Sequence, residues 1–418
     1  MSAHAINDRR HGQTTLAHFF FAFVRGPCKL LSSGAWGERC RLAKFGGECI
    51  HSDFHICEDA GRMGNHVASE LPKSCDVENL WLCERASVVM AKFSVLLFLR
   101  EQWTVLVVTG TNVGLGFEAA VHLAKLKPKR LLLTTRDEAK CKQAKQDVEQ
   151  CSVTNNIEAW PLELGSFDSV RKFADRIESE GFPINAFIAN ASIATFTYAK
   201  TQDGWETTLQ VNYLSTALLS ILMLPHLIKS TTASDTARLV IVASDAHFRA
   251  NKLKGVANWP SILGKLNDEE YCTASVMKNR YELSKLLQVM FVREPASRLP
   301  NPTPVSVTSI NPGFCHSRLT RSVESNLVMK LMVHVGKALL ARTTEMGSRA
   351  LMHPAVEPSE RDRHGRYMSC VEVAEESDYA LSEEGKEISR RLWEETIEIL
   401  AKIDPRVNQI ISQHLLAR

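Results

Sequence analysis

From Val105 onward, apolar residues gather in short unbroken runs, separated by longer stretches in which they recur at helical spacing. The runs are 104–109 (TVLVVT), 130–135 (RLLLTT), 157–162 (IEAWPL), 184–190 (INAFIAN), 238–244 (RLVIVAS) and 304–310 (PVSVTSI). Continuous apolarity, rather than strict alternation, marks strands covered by helices on both faces. The stretches between, such as 166–180 and 203–229, read as helices. This alternation predicts an α/β fold, a doubly wound parallel sheet in a single domain over 90–418. Residues 1–89 keep neither a 3.6-residue nor a 2-residue period and read as an irregular N-terminal extension, disordered or artefactual.

Composition narrows the partners. Lys plus Arg number 50 against 47 Asp plus Glu, a net charge of +3. That balance gives no reason to expect nucleic acid or an anionic membrane. The apolar stretches at 19–24 (FFFAFV) and 88–99 (VVMAKFSVLLFL, broken by Lys92) are too short for a span, which takes roughly 20 residues. A basic start before a short apolar run imitates a signal peptide, but the rest reads as a reducing-compartment, cytoplasmic enzyme. Six of the 11 cysteines (Cys28, Cys40, Cys49, Cys57, Cys75, Cys83) lie in the first hundred residues without a C-x-x-C pair. His51 and His55 near Cys57 leave a metal site as an alternative; the expectation is reduced thiols and no metal.

The first strand runs into TGTNVGLGFEAA, where Gly110, Gly114 and Gly116 form Gly-x-x-x-Gly-x-Gly between a strand and a helix. Glycine allows close backbone approach to a pyrophosphate, and the helix N-terminus offers unpaired N–H groups and a positive dipole end. A dinucleotide site of Rossmann type follows; a tight turn without ligand is the bland alternative. The second strand ends in Thr135 and Arg136. A guanidinium fork suits a ribose 2′-phosphate, so NADP is expected over NAD, unless Asp137 takes the ribose hydroxyls.

The stretch NRYELSKLLQVMF points to chemistry. Tyr281 and Lys285 are four residues apart in a helical sequence and share a face. A nearby ammonium lowers a phenol's pKa and makes it a usable proton donor and acceptor. Of the six tyrosines, only Tyr281 has a lysine four residues on. The fifth strand ends at Ser244, on the sheet edge where α/β proteins hold ligands.

At this point the chain resembles the short-chain dehydrogenase/reductase family. The elements TGTNVGLG, NASIA (190–194), LQVNYLST around Asn212, Ser244, YELSK and NPGFCHS (from Asn311) stand in family order. The resemblance covers about 90–403 and is nearest to retinol-dehydrogenase-like members, among them fungal secondary-metabolism reductases. It implies Tyr281 as general acid/base, and Lys285 as the group that lowers its pKa and bonds the nicotinamide ribose. It further implies that Ser244 holds the substrate oxygen and that Asn212 positions a relay water. Gly110, Asn112, Gly114, Leu115 and Gly116 would border the phosphates. Arg136 would meet the 2′-phosphate, Glu163 the adenine region and Asn190 the adenosine ribose. Pro312, Gly313 and Ser317 would border the nicotinamide. The implied reaction interconverts a carbonyl and an alcohol on an apolar small molecule, in secondary metabolism, with subunits paired as a homodimer. The alternative is a catalytically silent dinucleotide-binding sensor or scaffold.

Some positions depart from the family pattern. Ala189 and Ser192 stand in IANAS where Asn-Asn-Ala-Gly is usual, and the Ser192 side chain is expected to crowd its turn. Glu163 replaces an aspartate, and Ala243 a serine. MAKFSVLLFLREQWT (90–104) resembles the start of fungal relatives, yet a connecting segment before the first strand is missing. The expectation is that residues 1–89 are misassigned sequence; native peptides from before Met90 would contradict it.

Overall fold

The computed structural model describes residues 104–233, 235–250, 256–315, 341–357 and 363–417. The boundary at 89/90, the Cys/His-rich segment and the apolar stretches before Trp103 lie outside the described residues. Each of the six apolar runs overlaps a strand: β1 Val105–Thr109, β2 Arg130–Thr135, β3 Ile157–Pro161, β4 Ala186–Ala189, β5 Ala237–Val242 and β6 Val305–Asn311. Two further short strands, β7 Tyr367–Ser369 and β8 Glu372–Val373, extend the sheet. The order is β3-β2-β1-β4-β5-β6-β7-β8, with β8 antiparallel and every other pairing parallel. Between β1 and β4 the strand order reverses, and the crevice beyond their carboxyl ends is where such sheets bind ligands.

The helices are α1 Gly114–Lys125, α2 Glu138–Ser152, α3 Phe167–Glu180, α4 Thr207–Ser230, α5 Arg280–Arg298, α6 Thr344–Val356, α7 Glu383–Ile403 and α8 Arg406–His414. Successive strand residues serve opposite faces. Leu106 and Val108 join one buried cluster with α1 and α6, while Val107 joins the other with α3, α4 and α5. Each such side chain, fully buried, contributes roughly 1.5–3 kcal/mol. In α3, Phe167, Val170, Phe173, Ala174 and Ile177 repeat at helical spacing and are all buried. Among the described residues, α4 alone is long and apolar enough to cross a membrane, and its most apolar window is mostly buried in the core.

Candidate active site

The glycine turn sits at the reversal point. Gly110 and Gly114 both have φ of +71°, which an L side chain rarely adopts. A Cβ on Gly116 would lie 2.3 Å from the carbonyl oxygen of Gly110 and 2.4 Å from Asn190 Nδ2, so α1 passes the turn only without a side chain. A Cβ on Gly114 would meet nothing within 4 Å, so its outer side is open. Asn112 is exposed beside it. The N-cap of α1, Val113, gives no side-chain bond, and no acidic residue stands in the first turn. The helix therefore keeps its N–H groups and positive end for an anion. Leu115 packs its side chain toward Gly347 of α6.

Asn190 braces this turn: its Nδ2 donates to the carbonyls of Thr109 (2.8 Å) and Gly110 (3.3 Å). The Thr109 hydroxyl accepts from the backbone of Asn190 and Ala191, each at 2.9 Å. Thr109 was not singled out from sequence; its place at the last residue of an apolar strand was the available signal.

At the carboxyl end of β2, Asp137 is committed to its own helix. It caps α2 by accepting from Lys140 N at 2.9 Å, and its other oxygen pairs with the Lys140 ammonium. The Arg136 side chain is 63% exposed, with Glu163 Oε2 at 3.8 Å from its Nε. Glu163 also accepts from Gly165 N at 2.8 Å. On the other side of the crevice, Gly313 has φ of +80°, and its N–H donates to Asn311 Oδ1 at 3.0 Å, with Pro312 between them. Ser317 lies outside the described residues.

Ser244, Tyr281, Lys285 and Asn212 come together from three segments: the end of β5, α5 and α4. Ser244 ends the β5 run, and its side chain is within hydrogen-bonding reach of the Tyr281 hydroxyl. Ser244 Oγ also donates to Asp245 Oδ1 at 3.1 Å and accepts from Ala246 N at 3.2 Å. His247 fixes the backbone here. Ser377 N donates to its Nε2 at 3.1 Å, so the proton stands on Nδ1 and goes to Ser244 O at 2.7 Å. Burial holds this imidazole down at about 4, against an ordinary 6.5.

Asn212 lies in a π-helical turn, Gln210–Leu214, inside α4; such turns often mark functional sites. Its carboxamide is used structurally. Oδ1 accepts from Ile193 N at 2.9 Å, and Nδ2 donates to Ile193 O at 2.8 Å and Ser284 Oγ at 2.9 Å. Beneath it, buried Glu206 accepts from Thr208 N and Leu209 N at 2.9 Å each and faces the Arg280 guanidinium, with Nε 3.4 Å away. That pair ties the start of α4 to the start of α5, next to Tyr281.

Lys285 is buried, and its Nζ lies 5.5 Å from the Tyr281 ring centroid. Burial lowers its pKa to about 7 from 10.5. Tyr281 is raised above its ordinary 10.0, chiefly by burial, with Asp245 and Glu282 adding to the rise and the Ser244 bond opposing it. Burial is the largest cause of the shift in both groups. Ser192 differs from expectation. It is not among the positive-φ residues, and its hydroxyl, instead of crowding the turn, accepts from Lys285 Nζ at 3.2 Å. Asp245, Gln288 and the Glu206–Arg280 pair were missed from sequence. Asp245 adjoins Ser244, and Gln288 lies one helical turn beyond Lys285; Glu206 and Arg280 had no local signal.

Comparison with known proteins bears on this geometry. A family model described as short chain dehydrogenase matches residues 104–256. The chain is 38% identical over 308 residues to the short chain dehydrogenase/reductase dmxR8 of Cryptosporiopsis sp. (strain 8999), covering 72% of this chain and 92% of that protein. It is 33% identical over 310 residues to the short-chain dehydrogenase/reductase phmF of Phaeosphaeria nodorum, covering 73% and 89%. A solved structure of an uncharacterised protein from Mycobacterium Paratuberculosis aligns with a TM-score of 0.49 at 24% identity, covering 72% of this chain and 94% of that one.

Proposed function

Because the chain belongs to the short-chain dehydrogenase/reductase family of NAD(P)-dependent oxidoreductases, we propose that it interconverts a carbonyl and an alcohol on an apolar small molecule. In this reading the cofactor is NADP and the setting is fungal secondary metabolism. The observation that carries the reading is the convergence of Tyr281, Ser244, Lys285 and Asn212 beside an open glycine turn.

The residues present fit a dinucleotide. Gly114 leaves open space where its turn faces outward, and the uncapped α1 N-terminus suits a pyrophosphate, with Gly110, Asn112, Leu115 and Gly116 completing the turn. Asn190 holds the turn in shape. Exposed Arg136 offers its fork to a 2′-phosphate, while Asp137, spent on capping α2, leaves the ribose hydroxyls without the carboxylate that NAD sites use. Glu163 would border the adenine side, and Pro312 and Gly313 the nicotinamide side. Bound there, the cofactor supplies or accepts a hydride at nicotinamide C4 and, when oxidised, brings a positive charge to the site.

The chain's own groups handle the substrate oxygen. Ser244 Oγ turns from Asp245 to donate to that oxygen, and the Tyr281 hydroxyl gives it a proton in reduction or takes one in oxidation. The buried surroundings exclude water and keep Tyr281 protonated until the oxygen develops charge. The test is NADPH consumption by the full chain across apolar ketones and aldehydes. Wild type is expected to turn over at least one class, and Tyr281→Phe to lose at least 100-fold in kcat while binding NADPH normally. Tight NADPH binding without turnover of any carbonyl would instead favour a silent sensor or scaffold.

A further inference from the structure

Lys285 carries three N–H bonds, and three neutral acceptors take them: Val242 O at 2.8 Å, Gln288 Oε1 at 2.9 Å and Ser192 Oγ at 3.2 Å. The acceptors come from the end of β5, from α5 itself and from the turn after β4. Gln288 is 2% exposed, and its other end is equally committed: Nε2 donates to the main-chain carbonyl of Asn212 at 2.6 Å. Its orientation is dictated by its neighbours. Turned over, the amide would set N–H against an ammonium and oxygen against a carbonyl.

We propose that Gln288 is a positioning residue for Lys285, its carboxamide linking the ammonium to the carbonyl of Asn212 in place of the relay water that the family resemblance assigns to that asparagine. The inference deepens the oxidoreductase reading and rests on it for its kinetic consequence. A water can rotate and pass a proton; a carboxamide held at both ends holds one orientation. Gln288 therefore fixes the ammonium on the Tyr281 side of α5 and sets how firmly Lys285 keeps its proton. Of the elements around the ammonium, α5 presents Tyr281 as the titratable neighbour, while β5 and the β4 turn present a carbonyl and a hydroxyl. Burial is the cause of the lysine's lowered pKa, so a change in one acceptor is read against a background without a charged partner.

Two variants of the full chain separate the possibilities. Gln288→Leu removes the acceptor and makes the ammonium harder to keep. Gln288→Glu supplies a carboxylate and makes it easier. The alkaline limb of kcat/KM for NADPH, which reports the free enzyme, is expected to move down by about 1 pH unit in the first and up by about 1 in the second. A second readout needs no turnover. A lysine lowered to about 7 lets stability rise with pH from about 7 toward its ordinary 10.5. The onset of that rise should move in the same opposite directions in melting curves. Opposite shifts support the proposal. Equal losses of kcat with neither limb nor onset moved would show a merely structural glutamine and overturn it. If no carbonyl is reduced even by wild type, the oxidoreductase reading fails, and the melting curves still decide whether Gln288 governs Lys285.

Discussion

Arg136 projects 63% exposed from the end of β2, with the Glu163 carboxylate 3.8 Å away and Asp137 beside it in sequence. If it meets a 2′-phosphate, Arg136→Ala should raise KM for NADPH roughly 10- to 100-fold, as loss of a charge-assisted contact does, and leave NADH nearly unchanged. Equal effects on both cofactors would place the phosphate elsewhere. His247 makes a different demand. Its ring is 1% exposed, tilted against Phe248 at 4.1 Å and edge-on to Tyr367 at 4.7 Å between centroids, and bonded at both nitrogens. With a folded-state pKa of about 4 against 6.5, the unfolded chain binds this proton first. Stability from this group is complete above pH 6.5 and falls as pH drops toward 4, by roughly 3 kcal/mol in all. Denaturant unfolding at pH 7.5 and 4.5 should show His247→Asn with a smaller acid loss than wild type. The motif residues were legible because their spacing is local: Tyr281 and Lys285 share a helical turn, and the glycines share one loop. The partner of His247 is Ser377, 130 residues away, and no local pattern announces such a contact.

Helix α2 ends on a strained residue. Val153 is its C-cap at φ 54°, ψ 45°, a left-handed conformation that a β-branched side chain adopts at a cost, and it is 90% exposed. Val153→Gly should stabilise the protein by about 1 kcal/mol, seen as a raised Tm, because nothing in the core is lost. A lowered Tm would mean the side chain contributes a contact. At the level of elements, β1, β2, β4, β5 and β6 were readable because burial on both faces demands apolar runs, while the edge strand β3 is only partly buried. Strands β7 and β8 span three and two residues, too short for any periodicity, and they form because β6 offers β7 a free edge. The π-helical turn carrying Asn212 was equally silent: its sequence, QVNYL, reads as ordinary helix.

Across the whole molecule, one face of the sheet is closed by the chain's own end. α8 packs on α4, and α7 on α5, with Val407, Ile410, Leu392 and Trp393 buried in the larger apolar cluster. Truncation after Asp404 should therefore expose apolar surface on α4, lower Tm by several degrees and promote aggregation; an unchanged melt would show α8 to be dispensable. The truncation removes no residue of the glycine turn or of the Tyr281 cluster, so it is expected to weaken folding without changing cofactor preference. Hydride transfer within the crevice is tested most directly by following one atom. The full chain is given NADPH carrying deuterium at both C4 positions of the nicotinamide and an apolar ketone, and the product is examined by mass spectrometry. One deuterium on the carbinol carbon, with the labelled product falling at least 100-fold in Tyr281→Phe, is the predicted result. An unlabelled alcohol, or a Tyr281→Phe variant as fast as wild type, would contradict it.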